Sequence, residues 1–172
     1  MSFPSRSAID PPALQRLPIS MPRPRSGPRP RTPSVVPHVQ LDQWPPPGWI
    51  ERLAEASLRL PNVGSRQSRM AAPDTKALFL MDGFANGPAE SFIDGHEFCH
   101  LHAAPEGSVH LTLPTPIRQQ IVALGWAEEH PLARAGFLAQ TLVMVYAPRD
   151  ESELAVVVGI VEASYNVARG TW

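Results

Sequence analysis

The stretch GHEFCHLHAAPEGSVHLTL, residues 95–113, decides the fold of this chain and holds four of its six histidines. Its segments FCHLH and SVHLTL alternate with the period of two that is typical of β-strands. The link AAPEG between them is short and contains Pro105 and Gly107, which favour turns. The stretch therefore predicts an antiparallel hairpin, around which the remaining elements are expected to pack.

The first strand of this hairpin is expected to carry its histidines on one face. Successive side chains of a strand point to opposite faces of the sheet. Strict alternation places Phe98, His100 and His102 on one face, and Cys99 and Leu101 on the other.

The register of the hairpin decides whether a third histidine joins that face. If His102 pairs with Ser108, His100 lies directly opposite His110, and β-carbons of such neighbours are about 4.5–5.5 Å apart. A slip by one residue would move His110 to the other face of the sheet. In the predicted register, three imidazoles share one patch.

A patch of three imidazoles suits proton transfer or the binding of a metal ion, because histidine titrates near neutral pH. For metal binding, His100, His102 and His110 are the alternative ligand set for a divalent transition metal in an open site. The spacing of His100, His102 and Glu106 is also similar to the metal motif of cupins, which holds Fe, Mn or Ni. A solvated or hydrogen-bonded face without a ligand is the remaining interpretation.

The composition indicates one soluble globular domain. The 172 residues are 43% hydrophobic and 18% charged, and the net charge of −1 does not suit a nucleic-acid-binding protein. A single cysteine, Cys99, excludes an internal disulfide and suits a reducing compartment. No apolar run reaches the ~20 residues of a membrane span, and the N-terminus lacks the pattern of a secretory signal. A cytoplasmic location is therefore expected.

Residues 1–47 differ from the rest of the chain, since they contain 13 of its 21 prolines and six arginines against two aspartates. Proline removes backbone donors and restricts the residue before it, so neither helix nor sheet is expected. These residues are predicted to be a disordered Pro/Arg-rich tail, and residues 48–172 the folded domain. The run PRPRSGPRPR offers a contact for an acidic partner.

The elements of the domain are predicted in the order α-β-β-β-α-β-α. Helices are expected over residues 47–60, from Pro116 to about residue 124, and from the N-cap Asp150 onward. Besides the hairpin, KALFLM (76–81) and LVMVYA (142–147) are expected to be strands, whereas residues 63–74 and 127–136 are expected to be connectors. The fold class is therefore α+β, with helices packed on a mainly antiparallel sheet.

Four segments together resemble a known family. The runs EFCHLHAAPEGSVHLTL, GWAEEHPLA, VYAPRDESE and VEAS occur in this order within residues 97–164. Over about residues 76–168 the chain resembles the fungal luciferases and the wider family of luciferase-like domains. The four segments in this order are specific to the family as a set, because each segment alone is too short to identify it.

This resemblance implies an α+β domain that binds a small enolic or aromatic molecule and O2. Fungal luciferase oxidises a hydroxypyrone, 3-hydroxyhispidin, with loss of carbon dioxide and without an added cofactor. The implied function is thus a cofactor-independent oxygenase acting on a hydroxypyrone-like substrate. The chain differs from the fungal enzyme at the N-terminus, where a Pro/Arg segment stands in place of that enzyme's membrane-like segment.

The same resemblance implies roles for individual side chains. His100 or His102 would remove the acidic enol proton. Protonated His110 or His130, or Arg149, would stabilise the resulting anion and the peroxide.

Four further side chains are implied to support this chemistry. Glu97 would orient a histidine, as carboxylates do, although strict alternation places it off the histidine face. Trp126 and Tyr146 would wall the substrate ring, and Phe98 is the third candidate substrate-binding residue.

Three interpretations stay open from the sequence. The first is the oxygenase, favoured if the histidines converge in an apolar cavity. The second is a non-enzymatic domain that binds a metal or a small molecule with the same histidines. The third makes residues 1–47 the functional part and the domain a scaffold for protein interaction.

Overall fold

The computed structural model describes residues 20–172, so the first 19 residues of the predicted tail lie outside the described residues. The helices are α1 (Trp49–Leu58), α2 (Thr115–Ala123), α3 (Pro131–Arg134) and α4 (Glu151–Ala168), with a 3-10 turn at Ala89–Ser91. The strands are β1 (Val63–Gln67), β2 (Lys76–Leu80), β3 (Glu97–Leu101), β4 (Val109–Thr112), β5 (Ala127–Glu129) and β6 (Leu142–Val145).

The six strands form one sheet in the order β1-β2-β3-β4-β6-β5, and each pair of neighbours is antiparallel. The predicted α+β class is therefore confirmed. The predicted register is also confirmed, because His100 pairs with His110 and the N–H of His102 donates to the carbonyl of Ser108 at 3.0 Å. None of the helices in residues 20–172 has the length and hydrophobicity that crossing a bilayer would require.

The two strands that the sequence did not predict, β1 and β5, are the edges of the sheet. Each pairs on one side only, and β1 has three exposed residues among its five. An edge strand needs less apolar sequence than a central one, so VGSRQ and AEE show no clear alternation. They were expected to be connectors, and they are strands because β2 and β6 offer free pairing edges.

A register shift between β2 and β3 changes which side chains face the histidines. Leu78 pairs with Cys99, but Phe79 pairs with Glu97, so the partner strand skips Phe98. Such an extra residue reverses the alternation beyond it. The side chain of Glu97 consequently joins the histidine face, where its carboxylate contacts His100.

The same shift sends Phe98 into the core. The side chain is fully buried, and its ring lies 6.1 Å from that of Tyr165 on α4. Here α1 and α4 cover one face of the sheet, with Cys99 and Leu111 directed toward them. The prediction that Phe98 shares the histidine face is therefore wrong, and its role in substrate binding stays a prediction for a ring that is fully buried in the core.

Residues 20–47, here called the N-terminal strap, contain neither helix nor strand, as their prolines predict. They are nevertheless packed against the domain, which corrects the prediction of disorder for this part of the tail. The guanidinium of Arg25 is buried and donates to a carboxylate oxygen of Glu153 at 3.1 Å and to the carbonyl of Ala147 at 3.2 Å. The indole N–H of Trp126 donates to the carbonyl of Arg23 at 2.8 Å.

Further arginines of the strap also have partners inside the protein. Arg29 donates to the carbonyl of Val122, and Arg31 forms an ion pair with Asp42. Arg25, Arg29 and Arg31, which the sequence suggested as contacts for an acidic partner, therefore already bind groups of this chain.

We expect Phe98→Ala to lower the free energy of unfolding by about 3–5 kcal/mol, because the substitution empties a fully buried ring position. Urea denaturation followed by circular dichroism measures this loss. The matched control is Phe137→Ala, whose ring is 76% exposed and whose loss should stay below about 0.5 kcal/mol. Equal, small losses would contradict the register shift.

We also expect the ion pair between the strap and α4 to make stability depend on acid pH. Burial raises the pKa of Glu153, but the hydrogen bonds from Arg149 and the charge of Arg25 outweigh it and hold the pKa below the ordinary value of 4.5. Because the folded-state pKa is lowered, this stabilisation is present above pH 4.5 and is lost as pH falls through the folded-state value.

Glu153→Gln should therefore be destabilised relative to wild type by roughly 3–5 kcal/mol at neutral pH, since it leaves Arg25 buried without a charge partner. The gap between the two proteins should narrow below pH 4.5. Thermal or urea unfolding across this range measures it, and a gap independent of pH would contradict the ionised pair.

Candidate functional site

Five histidines meet on the sheet face opposite α4, and we call them the histidine cluster. Neighbouring rings have centroids between 4.7 and 5.5 Å apart. The sixth histidine of the chain, His96, lies apart beside Asp82 with 43% of its side chain exposed. The members of the cluster are His38, His100, His102, His110 and His130.

Three parts of the chain bring the cluster together. Strands β3 and β4 supply His100 and His110 in the predicted register, His102 directly follows β3, and His130 is the N-cap of α3. The strap supplies His38, whose ring stacks on that of His110 at 5.4 Å. Sequence reasoning missed His38 because it assigned residues 1–47 to a tail. The signal that could have found it is the apolar run VVPHVQL, which interrupts the Pro/Arg-rich composition.

A line of hydrogen bonds runs from a buried carboxylate to His110. An oxygen of Glu97 lies 2.8 Å from Nδ1 of His100, and Nε2 of His100 lies 3.1 Å from Nδ1 of His110. The hydroxyl of Ser68 donates to the same oxygen of Glu97 at 2.9 Å. The predicted orienting role of Glu97 thus has a geometric basis, which the register shift provides.

This line fixes which nitrogen of each ring carries a proton. A neutral imidazole has one N–H and one lone pair, and an accepting carboxylate oxygen requires the N–H of His100 on Nδ1. Nε2 of His100 must then accept, so Nδ1 of His110 donates. What remains on His110 is the lone pair of Nε2, a buried atom without a hydrogen-bond partner in residues 20–172.

Two other carboxylates each hold one histidine of the cluster. Glu106 lies 2.7 Å from Nδ1 of His102 and also accepts the N–H of Gln40. Glu128 lies 2.6 Å from Nε2 of His38 and accepts from the hydroxyl of Tyr146 at 2.8 Å. Glu106, which the cupin-like spacing made a possible metal ligand, therefore orients His102.

His130 is held by the backbone. Its Nδ1 accepts the N–H of Leu132 at 3.2 Å, which caps α3 and places the N–H of the neutral ring on Nε2. The ring lies edge-on to His38 at 4.9 Å and to His110 at 5.2 Å.

Burial keeps the inner rings of the cluster neutral. The pKa of His110 lies well below its ordinary value of 6.5, first because the ring is desolvated and then because its neighbours repel a further positive charge. The pKa of His100 is lowered by burial despite the hydrogen bond that its ring donates to Glu97, and burial lowers the pKa of His130 to about 4. That a protonated His110 or His130 stabilises the substrate anion stays a prediction, and burial disfavours the protonated form of both rings.

A cavity of about 180 Å³ opens onto the cluster. His100, His110 and His130 contribute the histidine side of its lining, beside Thr112. The other walls are apolar and come from the strap, the β1–β2 connection, the segment after the 3-10 turn, α3 with the connection that follows it, and β6. They include Val36, Phe92, Ile93, Leu132, Leu138 and Leu142.

A second cavity, of about 300 Å³, lies on the other side of Thr112, between the 3-10 turn, α2 and the C-terminus. It is larger, but Glu90 is the one ionisable side chain among the described residues that line it. The smaller cavity is the candidate site because the histidines open onto it.

Three of the predicted site residues lie away from this cavity. Arg149 binds Glu153 and the carbonyl of Ser26, so its charge is already matched. Trp126 is buried under Arg25, and its indole N–H is taken by the strap. Tyr146 reaches the histidine cluster through Glu128 alone, and burial together with Glu128 raises its pKa. None of the three lines this cavity, so their contacts with a substrate stay predictions that the cavity does not support.

We expect the rings of His110 and His130 to remain neutral between about pH 8 and about pH 5, the range in which an ordinary histidine titrates. Two-dimensional NMR of protein labelled with 15N in histidine measures the ring nitrogens. His110→Gln and His130→Gln assign the signals, and free imidazole in the same buffer is the titrating control. A midpoint near the ordinary value for either ring would contradict the burial.

Comparisons with known proteins show what the sequence is similar to. Residues 95–164 match a family model described as "Luciferase domain". Luciferases of Armillaria gallica and Armillaria mellea are 32% and 31% identical to the chain over 157 residues, which cover 82% of this chain and 59% of each relative. The luciferase of Neonothopanus nambi is 37% identical over 98 residues, which cover 52% of this chain and 37% of that protein.

The chain thus spans less than two thirds of the length of these relatives. No solved structure matches it. The matched region contains the hairpin, His130 and most of α4. Residues 95–164 of the chain are therefore similar to the luciferase domain family.

Proposed function

We propose that this protein is an oxygenase that uses histidines as acid and base on a small, hydroxypyrone-like enol, with O2 and without a cofactor. One observation carries the proposal. Nε2 of His110 is a buried lone pair at the edge of an apolar cavity, and no described residue satisfies it. A buried acceptor without a donor is unfavourable, so a ligand that donates a proton there binds with a gain.

The base in this proposal is His110 rather than His100 or His102. Nε2 of His110 takes the enol proton, and its Nδ1 passes a proton toward Nε2 of His100. Nδ1 of His100 in turn faces Glu97, so the positive charge that arrives on the rings lies next to a carboxylate. His100 and Glu97 therefore position the base and stabilise its protonated form.

The strength of this base restricts the substrate. A histidine with a lowered pKa is a weak base, and proton transfer is most efficient when donor and acceptor are of similar strength. Acidic enols, such as hydroxypyrones, meet this condition better than simple ketones or phenols. The cavity of about 180 Å³ is below the roughly 300–1,000 Å³ of typical ligand pockets, which favours a compact molecule.

The reaction with O2 follows once the enolate anion has formed. The enolate supplies the electrons, O2 accepts them, and a bond forms between the enolate carbon and one oxygen atom. The second oxygen atom carries the negative charge and takes back the proton held by His110, which gives a hydroperoxide. Atoms and electrons balance without a further oxidant. The apolar walls favour O2 and exclude water from the peroxide.

The cytoplasm remains the proposed location, because a single cysteine suits a reducing compartment. The alternative, a metal- or small-molecule-binding domain without catalysis, uses the same histidines. Emission of light is a property of the named relatives and is no part of this proposal.

The test is oxygen uptake by the tag-free protein with a panel of hydroxypyrones that differ in acidity. Wild type should consume one O2 per substrate, and His110→Gln should reduce kcat by about 100-fold or more, the usual contribution of a positioned base. Glu97→Gln should lower kcat while KM changes little, because Glu97 acts through His100.

His96→Gln is the matched control, since this histidine lies outside the cluster. Its oxygen uptake should equal that of wild type. If the acidic enols bind but none consumes O2, or if His110→Gln is as active as wild type, the proposed oxygenase is wrong.

A further inference from the structure

A second ring nitrogen shares the situation of His110. Nδ1 of His38 is buried and has no hydrogen-bond partner within the described part of the chain. Since Nε2 of His38 faces Glu128, the N–H of the neutral ring lies there, and Nδ1 keeps its lone pair. The cluster thus contains two stacked rings, each with a buried lone pair that no residue among 20–172 satisfies.

A third ring stands beside these two. One nitrogen each of His38, His110 and His130 lies within 4.8 Å of the others, and all three residues are buried. In a tetrahedral site with bonds of about 2.0–2.1 Å, ligand nitrogens lie closer than this, so a small inward rotation of the rings would close the set. The three rings would leave a fourth position open.

The surroundings of His38 and His110 are those of metal-ligating histidines. Such a ligand usually donates its other N–H to a carboxylate, which fixes the tautomer and increases the basicity of the ligand. Glu128 holds His38 in this way. His110 is held through His100, which Glu97 orients.

The ligand set expected from the sequence is His100, His102 and His110. One nitrogen of each of these rings also lies within 4.8 Å of the others. There, however, Nε2 of His100 already accepts the N–H of His110, so an ion would break the line of hydrogen bonds that orients the base. At His38 and His110 an ion would break no hydrogen bond, and it would satisfy two buried atoms.

We propose that His38, His110 and His130 bind one divalent transition ion of the Zn²⁺ class, and that this ion inhibits the enzyme. Imidazole nitrogens select Zn, Cu, Ni or Co over Mg and Ca. The inhibition rests on the proposed function, because the ion takes the lone pair of His110 that removes the enol proton. The binding itself does not depend on it.

The ion is exchangeable rather than permanently held, and His130 is the reason. To ligate through Nε2, this ring has to shift its proton to Nδ1 and give up the N–H of Leu132, a hydrogen bond of 3.2 Å. The loss of this bond opposes binding, whereas His38 and His110 are ready without change.

The test is titration of tag-free, chelator-treated full chain with ZnCl₂ by isothermal calorimetry near pH 7.5, with MgCl₂ as the ion that should not bind. Wild type should bind one Zn²⁺. His38→Gln and His130→Gln should each weaken binding at least tenfold. His102→Gln is the matched control inside the histidine cluster, and His96→Gln is the one outside it; both should bind as wild type does.

A second measurement uses the unmodified protein. Co²⁺ should give the intense visible absorption of a four-coordinate site, and Zn²⁺ should bleach it. Failure of wild type to saturate with either ion would overturn the proposal. So would loss of binding in His102→Gln with binding retained in His38→Gln, because this result would move the ion to the other set.

The two proposals fail separately. Zinc binding without oxygen uptake on any enol would leave the metal site and remove the oxygenase. Oxygen uptake that Zn²⁺ does not slow, with no zinc bound, would leave the oxygenase and remove the metal site.

Discussion

The register shift at Phe98 is the constraint on which the site depends. A regular β3 would direct Phe98 toward the histidines and Glu97 toward α4. The shift exchanges them, so the ring fills the core beside Tyr165 and the carboxylate reaches His100. One skipped residue therefore stabilises the helix layer and, on the opposite face, supplies the group that orients the buried base.

The N-terminal strap supplies the part of the histidine cluster that the sheet does not. It encloses the histidine cluster, and it adds His38 to rings that come from β3, β4 and α3. Its buried attachment is Arg25, which lies between the aromatic rings of Trp126 and Tyr146 and pairs with Glu153. Burial lowers the pKa of His100, His110 and His130, which favours their neutral form. The strap thus acts on the chemistry of the site as well as on its stability.

The hairpin could be predicted because its pattern is local. Alternation and a turn rich in proline and glycine were enough to place His100 opposite His110. The position of Glu97 could not be predicted, since strict alternation contains no signal for an extra residue in one strand. His38 was missed for a different reason. Its contact with His110 spans 72 positions of the chain, and a segment without helix or strand has no periodicity that reveals its buried side.

The predicted substrate contacts of Arg149, Trp126 and Tyr146 find no support in the cavity beside the histidines, for one shared reason. Each belongs to the motif-bearing runs that resemble the family, but each is engaged by the strap or by the acidic residues beside it. A match of motifs identifies which residues lie near each other, and it does not say which of their atoms are free. The central claim therefore concerns free atoms, and it reduces to the two nitrogens of His110.

Neutron diffraction from crystals of the full chain, exchanged into D2O near neutral pH, tests that claim most directly. The account predicts deuterium on Nδ1 of His110, directed at Nε2 of His100, and a bare Nε2 facing the cavity. Deuterium on Nε2 of His110, with a bare Nδ1, would contradict it. The lone pair would then be absent from the cavity, and both the base and the metal ligand would lose their physical basis.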